Sequence, residues 1–465
     1  MSKDVIFKTF RTYKYPYVYD RHTNSLVRLE EDEYAELAQV EKGELSAEDS
    51  QVVGKYQEQG LFVPNVVEKI EHPGTAIIES YVNTRMEQLI LQVTQQCNLR
   101  CGYCVYSGIY GRNRVHSNER MSWDTAKKAI DFFLKRSWAI PESTIGFYGG
   151  EPLLEFGLIK QCVDYVKTQV EGKTIVFNIT TNGTIMTDEM MEFMVANDFM
   201  LTISLDGSKE EHDVNRKFSD GEGSFDVIIK NIKKFKNRYP SFDENISIIT
   251  TINPYMDLDC VLEYFNTTEI FNDKNIIFNT VNEVNLSQSI DYDKKYHEVR
   301  SFEYVKMLFA LVGKLDEKYV SPLTLRIRGS IEARFKDVQG RVDISSIAHH
   351  GGPCMPGVMR LFVRTDGVLF PCERVGDVLD YFAIGTLEDG LDINKIKALL
   401  NNGVLTENEC EICWSIRQCT ICSAQLNFDI EPTKKEKLEE CAISVKRVLT
   451  DMYEISVLSE FGLVK

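Results

Sequence analysis

No stretch of the 465-residue sequence approaches the roughly 18 consecutive apolar residues that a membrane-spanning helix needs. Met1 to Tyr17 mixes polar, aromatic and basic residues and lacks the apolar core of an export signal. The expected location is therefore the cytoplasm, with no membrane partner. An excess of positive charge is missing too. The 53 Lys and Arg residues face 70 Asp and Glu, a net charge of −17, which argues against the positive footprint of non-specific nucleic-acid binding. No nucleic-acid partner is expected. Internal repeats and low-complexity tracts are also lacking. With 43% hydrophobic and 26% charged residues the composition is that of a folded globular protein, and its length suggests two or three folded units.

Cysteine is the residue present in excess. Thiols stay reduced in the cytoplasm, so the twelve cysteines need an explanation other than disulfides, and metal binding is the leading one. Three lie between Cys97 and Cys104, and seven between Cys354 and Cys441.

Four regions can be separated. Residues 1–80 carry short aromatic strand candidates, Val5 to Phe10 and Tyr15 to Tyr19, then helices over Glu31–Val40 and Ser46–Gln59. His72-Pro73-Gly74 reads as a linker. From Gln88 strands and helices alternate as far as a strand at Ile276–Asn279, which predicts βα units around a parallel sheet over residues 81–285. Six such strands suit an open barrel as well as a flat sheet. Residues 286–350 read as a helical bridge, and 351–465 as a cysteine-rich unit containing a hairpin turning at Thr365-Asp366-Gly367.

Cys97-Asn98-Leu99-Arg100-Cys101-Gly102-Tyr103-Cys104 follows an apolar strand directly. So short a span cannot disperse three sulfurs widely, and three thiolates are one short of the four that usually complete an iron–sulfur cube. A zinc loop is the competing reading, although structural zinc normally takes four ligands. The motif resembles the signature of the radical S-adenosylmethionine (SAM) superfamily. The resemblance implies a [4Fe–4S] cluster on Cys97, Cys101 and Cys104. Its open iron would bind SAM, which on reduction yields a 5′-deoxyadenosyl radical. Gly149-Gly150-Glu151-Pro152 resembles the family's segment for the SAM amino group. By the same resemblance Asn182, Ser204 and Arg216 belong to the SAM ribose or carboxylate region, and Tyr103 and Asp206 to the same cofactor site. Each could otherwise be a polar turn or cap residue.

Cys354, Cys372, Cys410, Cys413, Cys419, Cys422 and Cys441 resemble the SPASM extension of peptide-modifying radical SAM enzymes. That family pattern has three residues between its fifth and sixth cysteines, where this chain has two. The resemblance implies two auxiliary [4Fe–4S] clusters, three clusters in all. Cys410, Cys413, Cys419 and Cys441 would hold one; Cys354, Cys372 and Cys422 would hold the other, with an iron open to a substrate thiolate. His349 or His350 could instead be its fourth ligand. Zinc is the alternative for this region as well. Cys162 and Cys260 read as core residues.

The fold class implied is α/β: a partial (β/α)6 TIM-like barrel, an N-terminal winged-helix-like α+β domain and a C-terminal SPASM domain. The N-terminal unit resembles a module that binds the leader of a precursor peptide, a task suited to strand addition at a sheet edge. The resulting expectation is a cytoplasmic oxidoreductase, a maturase forming thioether crosslinks in a ribosomally synthesised precursor. Its further partner would be an electron donor such as flavodoxin or ferredoxin. Alternatives are a sulfatase-type maturase making formylglycine, a carbon–carbon crosslinking maturase and a zinc-stabilised peptide-binding protein.

Overall fold

The computed structural model describes residues 5–111, 113–271, 276–281, 283–284, 286 and 290–463. Residues 1–4 of the segment read for an export signal, and the boundary at residue 285, lie outside the described residues. The chain opens with three antiparallel strands, β1 (Phe7–Arg11), β2 (Pro16–Asp20) and β3 (Ser25–Arg28), then α1 (Glu31–Glu41) and α2 (Gln51–Gln57). The second helix is shorter than the sequence suggests because Ser50 caps it, accepting the Val53 N–H at 3.1 Å. Phe7 and Val18 on one sheet face pack against Leu37, Val53 and Phe62.

Strand β4 (Lys69–Ile70) and helix α3 (Ile78–Thr84) follow. Between them, His72-Pro73-Gly74 is not a free linker. Residues Pro73–Ala76 form a short 3-10 turn, and the His72 N–H donates to Asn401 Oδ1 at 2.7 Å. Proline set just inside a helix start favours that turn over an extended connection.

The central unit alternates β5 (Gln88–Thr94), α4 (Trp123–Leu134), β6 (Glu142–Gly149), α5 (Phe156–Gln169), β7 (Thr174–Thr181), α6 (Asp188–Ala196) and β8 (Met200–Ser204). It continues through α7 (Lys209–Asn215), α8 (Phe225–Arg238), β9 (Ile246–Ile252), α9 (Leu258–Thr267) and β10 (Ile276–Thr280). The six strands are parallel and adjacent in chain order. Alternation of side chains explains their two faces: Leu89, Leu91, Ile145, Phe147, Leu201 and Ile203 are buried beneath the helices. On α8, Ile228, Ile229, Ile232 and Phe235 recur at helical spacing and close that layer.

Helices α10 (Lys294–Leu311) and α11 (Leu325–Asp337) lead through β11 (Ile347–Ala348), which pairs with β4, to the hairpin β12 (Leu361–Val363) and β13 (Val368–Phe370). Next come β14 (Gly385–Thr386), β15 (Gly390–Leu391), α12 (Ile393–Leu400), α13 (Glu407–Glu411) and the long α14 (Lys434–Glu460). Strand β12 pairs in parallel with β5, Leu361 opposite Leu89. The free side of β5 thus takes β12 rather than β10, and the barrel stays partial within a ten-stranded sheet. Phe10, Tyr17 and Tyr19 on the other face of the N-terminal sheet pack against Met307, Ile331, Val448 and Met452. Cys162 is fully buried, but Cys260 is exposed on α9 and is no core residue. It lies off the buried stripe formed by Leu258, Val261, Leu262 and Phe265.

Candidate active site

Strand β5 delivers the chain to the loop that carries Cys97, Cys101 and Cys104, and the end of β6 is fastened beneath it. The Gly150 N–H donates to Thr94 O at 2.9 Å and the Glu151 N–H to Gln96 O at 2.8 Å. This approach requires glycine. Gly149 has φ +141°, and a Cβ on Gly150 would stand 2.0 Å from Gln96 O. Glu151 is buried, its carboxylate accepting from Leu153 N (3.0 Å), Thr181 Oγ1 (2.7 Å) and Asn182 N (2.7 Å). Burial raises its pKa, opposed by those bonds. The carboxylate therefore ties the end of β6 to the end of β7. From there Asn182 Nδ2 donates to Asn98 Oδ1 at 2.8 Å and reaches Cys97 Sγ at 3.8 Å. Ser204 ends β8, half-buried and opposite Ile249 of β9.

Beyond β8, Asp206 accepts from Arg216 Nε at 2.8 Å, from Thr251 N at 2.9 Å and from the Tyr103 hydroxyl. The Arg216 guanidinium lies 5.4 Å from the centre of the Tyr103 ring. Burial works against its charge, but Asp206, Tyr103 and Cys101 outweigh it and hold Arg216 cationic. His212 supports this pair from behind. Its Nδ1 accepts the Asp206 N–H at 3.2 Å, which leaves Nε2–H for Ser224 Oγ at 2.9 Å. Ser224 in turn donates to Arg216 O at 2.8 Å.

Burial lowers the pKa of His212 to about 4. The unfolded chain thus binds more protons than the folded one from about pH 6.5 down to about 4, and stability falls as pH falls through that window. Wild-type protein should lose about 1 kcal/mol more than His212→Asn between about pH 7.5 and 5.5. Paired urea titrations measure this, and equal losses would remove His212 from the acid response.

The cysteines form three sets, visible in how they act on one another electrostatically. Cys97, Cys101 and Cys104 make the first. Cys354, Cys372 and Cys422 make the second. Cys410, Cys413, Cys419 and Cys441 make the third and line one small cavity together with His350 and Lys437. Burial pushes the thiols of Cys97 and Cys441 up to about 11, and those of Cys101 and Cys372 up to about 12. Thiolates so placed need compensating positive charge, which iron supplies, so the donor sets fit the group that the sequence implies. Among the described residues, no three His, Cys, Asp or Glu side chains converge on one ion. His349 has both ring nitrogens engaged, by His350 O at 2.7 Å and by the Gly403 N–H at 2.9 Å.

A second, polar cavity of about 220 Å³ occupies the barrel, with Tyr148, Asn178, Thr180, Thr202, Arg360 and Glu373 on its wall. Glu373 pairs with Arg360 at 2.6 Å. It acts electrostatically on Tyr148, Cys354 and Cys372, and Cys104 also acts on Tyr148. The sequence does not single out Glu373 among so many acids; its one signal is that it follows Cys372.

Similarity to known proteins accords with this arrangement. The radical SAM superfamily matches residues 91–266. A cysteine-type anaerobic sulfatase-maturating enzyme of Clostridium novyi is 26% identical over 343 residues, 70% of this chain and 85% of its own. The radical SAM cyclopropyl synthase TigE of Paramaledivibacter caminithermalis is 26% identical over 257 residues, 52% of this chain and 53% of its own. Among solved structures, native anSMEcpe with bound AdoMet superposes with a TM-score of 0.56 at 20% identity. That match covers 80% of this chain and 99% of the other, and shows a shared fold. The protein is an enzyme built around a radical SAM domain. More particularly, it is similar to the anaerobic sulfatase maturases, and the cofactors of its domain are SAM and a [4Fe–4S] cluster. Among the described residues no helix is long and apolar enough to cross a membrane.

Proposed function

We propose that the chain is a cytoplasmic peptide maturase that joins cysteine sulfur to carbon within a ribosomally synthesised precursor. Cys97, Cys101 and Cys104 would hold the SAM-binding cluster and the two C-terminal sets two further clusters. Bound there, cluster and SAM supply a 5′-deoxyadenosyl radical that takes a hydrogen from carbon. Asn182 supports the Cys97 sulfur, while Gly149, Gly150, Glu151, Ser204 and the Tyr103–Asp206–Arg216 group shape the SAM site. Glu373, in the barrel wall beside Cys372, is placed to take the thiol proton of a substrate cysteine.

The observation that carries this reading is the set Cys354, Cys372 and Cys422. Glu373, which lines the barrel cavity with Tyr148, also acts electrostatically on Cys354 and Cys372, and the three thiols are one donor short of a complete cube. The edge of the N-terminal sheet at β3 offers the leader a strand to pair with, and a flavodoxin or ferredoxin would supply electrons. The similarity to sulfatase maturases favours a second reading, conversion of a substrate cysteine or serine to formylglycine. Mass spectrometry of a precursor co-expressed anaerobically separates the two. Thioether formation removes the mass of two hydrogens per link and blocks the cysteine to alkylation. An aldehyde captured by a hydrazine would instead establish the second reading and overturn the first.

A further inference from the structure

Lys437 has no exposed surface, although an isolated ammonium is costly to bury. Its place makes the cost higher, since it stands in the first turn of α14, where the helix dipole disfavours a cation. Two of its N–H bonds are spoken for: Nζ donates to His350 Nε2 at 2.8 Å and to Asn402 Oδ1 at 3.1 Å. An ammonium can only donate, so His350 presents a lone pair at Nε2. Burial, together with the Lys437 charge, pushes the His350 pKa down to about 2 and keeps the ring neutral. Asn402 is fixed in turn by donating to Ser423 Oγ at 3.1 Å. Neither holder is an anion. Burial pulls the Lys437 pKa down; opposing it are the cysteines, which act as anions once deprotonated: Cys410, Cys419 and Cys441 of one set and Cys422 of the other.

We propose that Lys437 is a positioning charge between the two C-terminal cysteine sets, offsetting the negative charge that an iron–sulfur cluster on Cys410, Cys413, Cys419 and Cys441 gains on reduction. This rests on the reading of those sets as cluster ligands. A cluster walled by Ile416, Val445 and buried thiols has little water to stabilise an added electron, and burial favours the less charged state. The lysine supplies a fixed counter-charge where solvent cannot. Spacing serves the same end: Lys437 and Cys441 are four residues apart on α14, so both project from one helix face toward the cavity they line. Packing alone would favour an apolar chain of similar length, because a buried charge without compensation is destabilising.

The test uses the full chain, reconstituted anaerobically, as wild type, Lys437→Met and Lys437→Arg. Iron and sulfide are assayed, and EPR-monitored titration with dithionite gives the midpoint potentials. Wild type should carry about twelve irons, three clusters of four. In Lys437→Met one midpoint should become more negative by at least a tenfold change in the one-electron equilibrium, about 59 mV. Lys437→Arg, which keeps the charge, should stay near wild type. Iron loss in the Met variant alone also supports a charge role. Equal iron loss in both variants, or unchanged midpoints in Lys437→Met, overturns it. A wild type holding only about four irons fails one step earlier, overturning the assignment of the C-terminal sets and the proposal with it.

Discussion

On the proposed three-cluster assignment, Cys101→Ser should release no 5′-deoxyadenosine above the enzyme-free control, and its iron should fall from about twelve to about eight per chain. The first set has only three thiols, so loss of one leaves two anchors for a cube that normally has four. No substitute is at hand. Asp206 is occupied by Arg216, Thr251 and Tyr103, and Glu151 by Leu153, Thr181 and Asn182. Arg216 is the leading charge acting on Cys101, as it is on Cys104. Removal of Cys101 therefore leaves a buried guanidinium with one fewer anion. Iron analysis and chromatography of the SAM products measure both effects. Retention of SAM cleavage with full iron would exclude Cys101 as a ligand, while retention of about eight irons would locate the remaining clusters on the C-terminal sets.

Gly150→Ala should be nearly as damaging although it removes no ligand. The added methyl would meet Gln96 O at 2.0 Å, Gln96 C at 2.4 Å and Cys97 N at 3.0 Å. All three are backbone atoms, which cannot rotate away as a side-chain tip would. Either the Gly150–Glu151 segment lifts off the loop, losing its bonds to Thr94 and Gln96, or Cys97 is displaced. The expected cost is about 3 kcal/mol in stability, with at least a tenfold loss of SAM affinity (about 1.4 kcal/mol). Gly157→Ala is the control, because on α5 an added Cβ meets nothing within 4 Å. It should be neutral or stabilising by up to about 1 kcal/mol. Thermal unfolding and equilibrium SAM binding on both variants check the pair, and similar behaviour of the two would remove the close approach at Gly150 as the cause.

Much of the core was legible because its signals are local. Apolar runs such as Leu89–Val93 and Ile246–Ile252 alternate with amphipathic helices at regular intervals, and the βα order follows. The cysteine loop and the Gly149–Pro152 segment were legible because spacing limits what close groups can do. The rest depends on contacts between distant residues. Spacing alone does not divide the seven C-terminal cysteines: Cys422 is three residues from Cys419 yet acts on Cys354 and Cys372. Strand β12 is three residues long, and nothing in Leu361–Val363 says that it pairs with a strand about 270 positions earlier. Glu373 and Lys437 carry common side chains whose surroundings, not identities, set them apart. His72-Pro73-Gly74 looked like a linker because the Asn401 that holds it is 329 residues away. Cys260 departs from the usual burial of free cysteine because helical rotation turns it away from the stripe of Leu258, Val261 and Leu262.

The parallel pairing of β12 with β5 also constrains the order in which the protein can be made. During synthesis β5 to β10 emerge first and can assemble as neighbours, but the far edge of β5 has no partner until Leu361–Val363 has been translated. An open strand edge invites pairing with another chain, and contacts spanning so many residues form slowly. The N-terminal sheet waits longer still, since its Thr12 and Tyr17 hydroxyls donate to Glu460 at 2.5 and 3.0 Å. A ribosome stalled before residue 361 thus presents a half-built barrel with its cysteine loop in place and one flank uncovered. For this enzyme, yield in a heterologous host should depend on elongation speed as much as on the supply of iron.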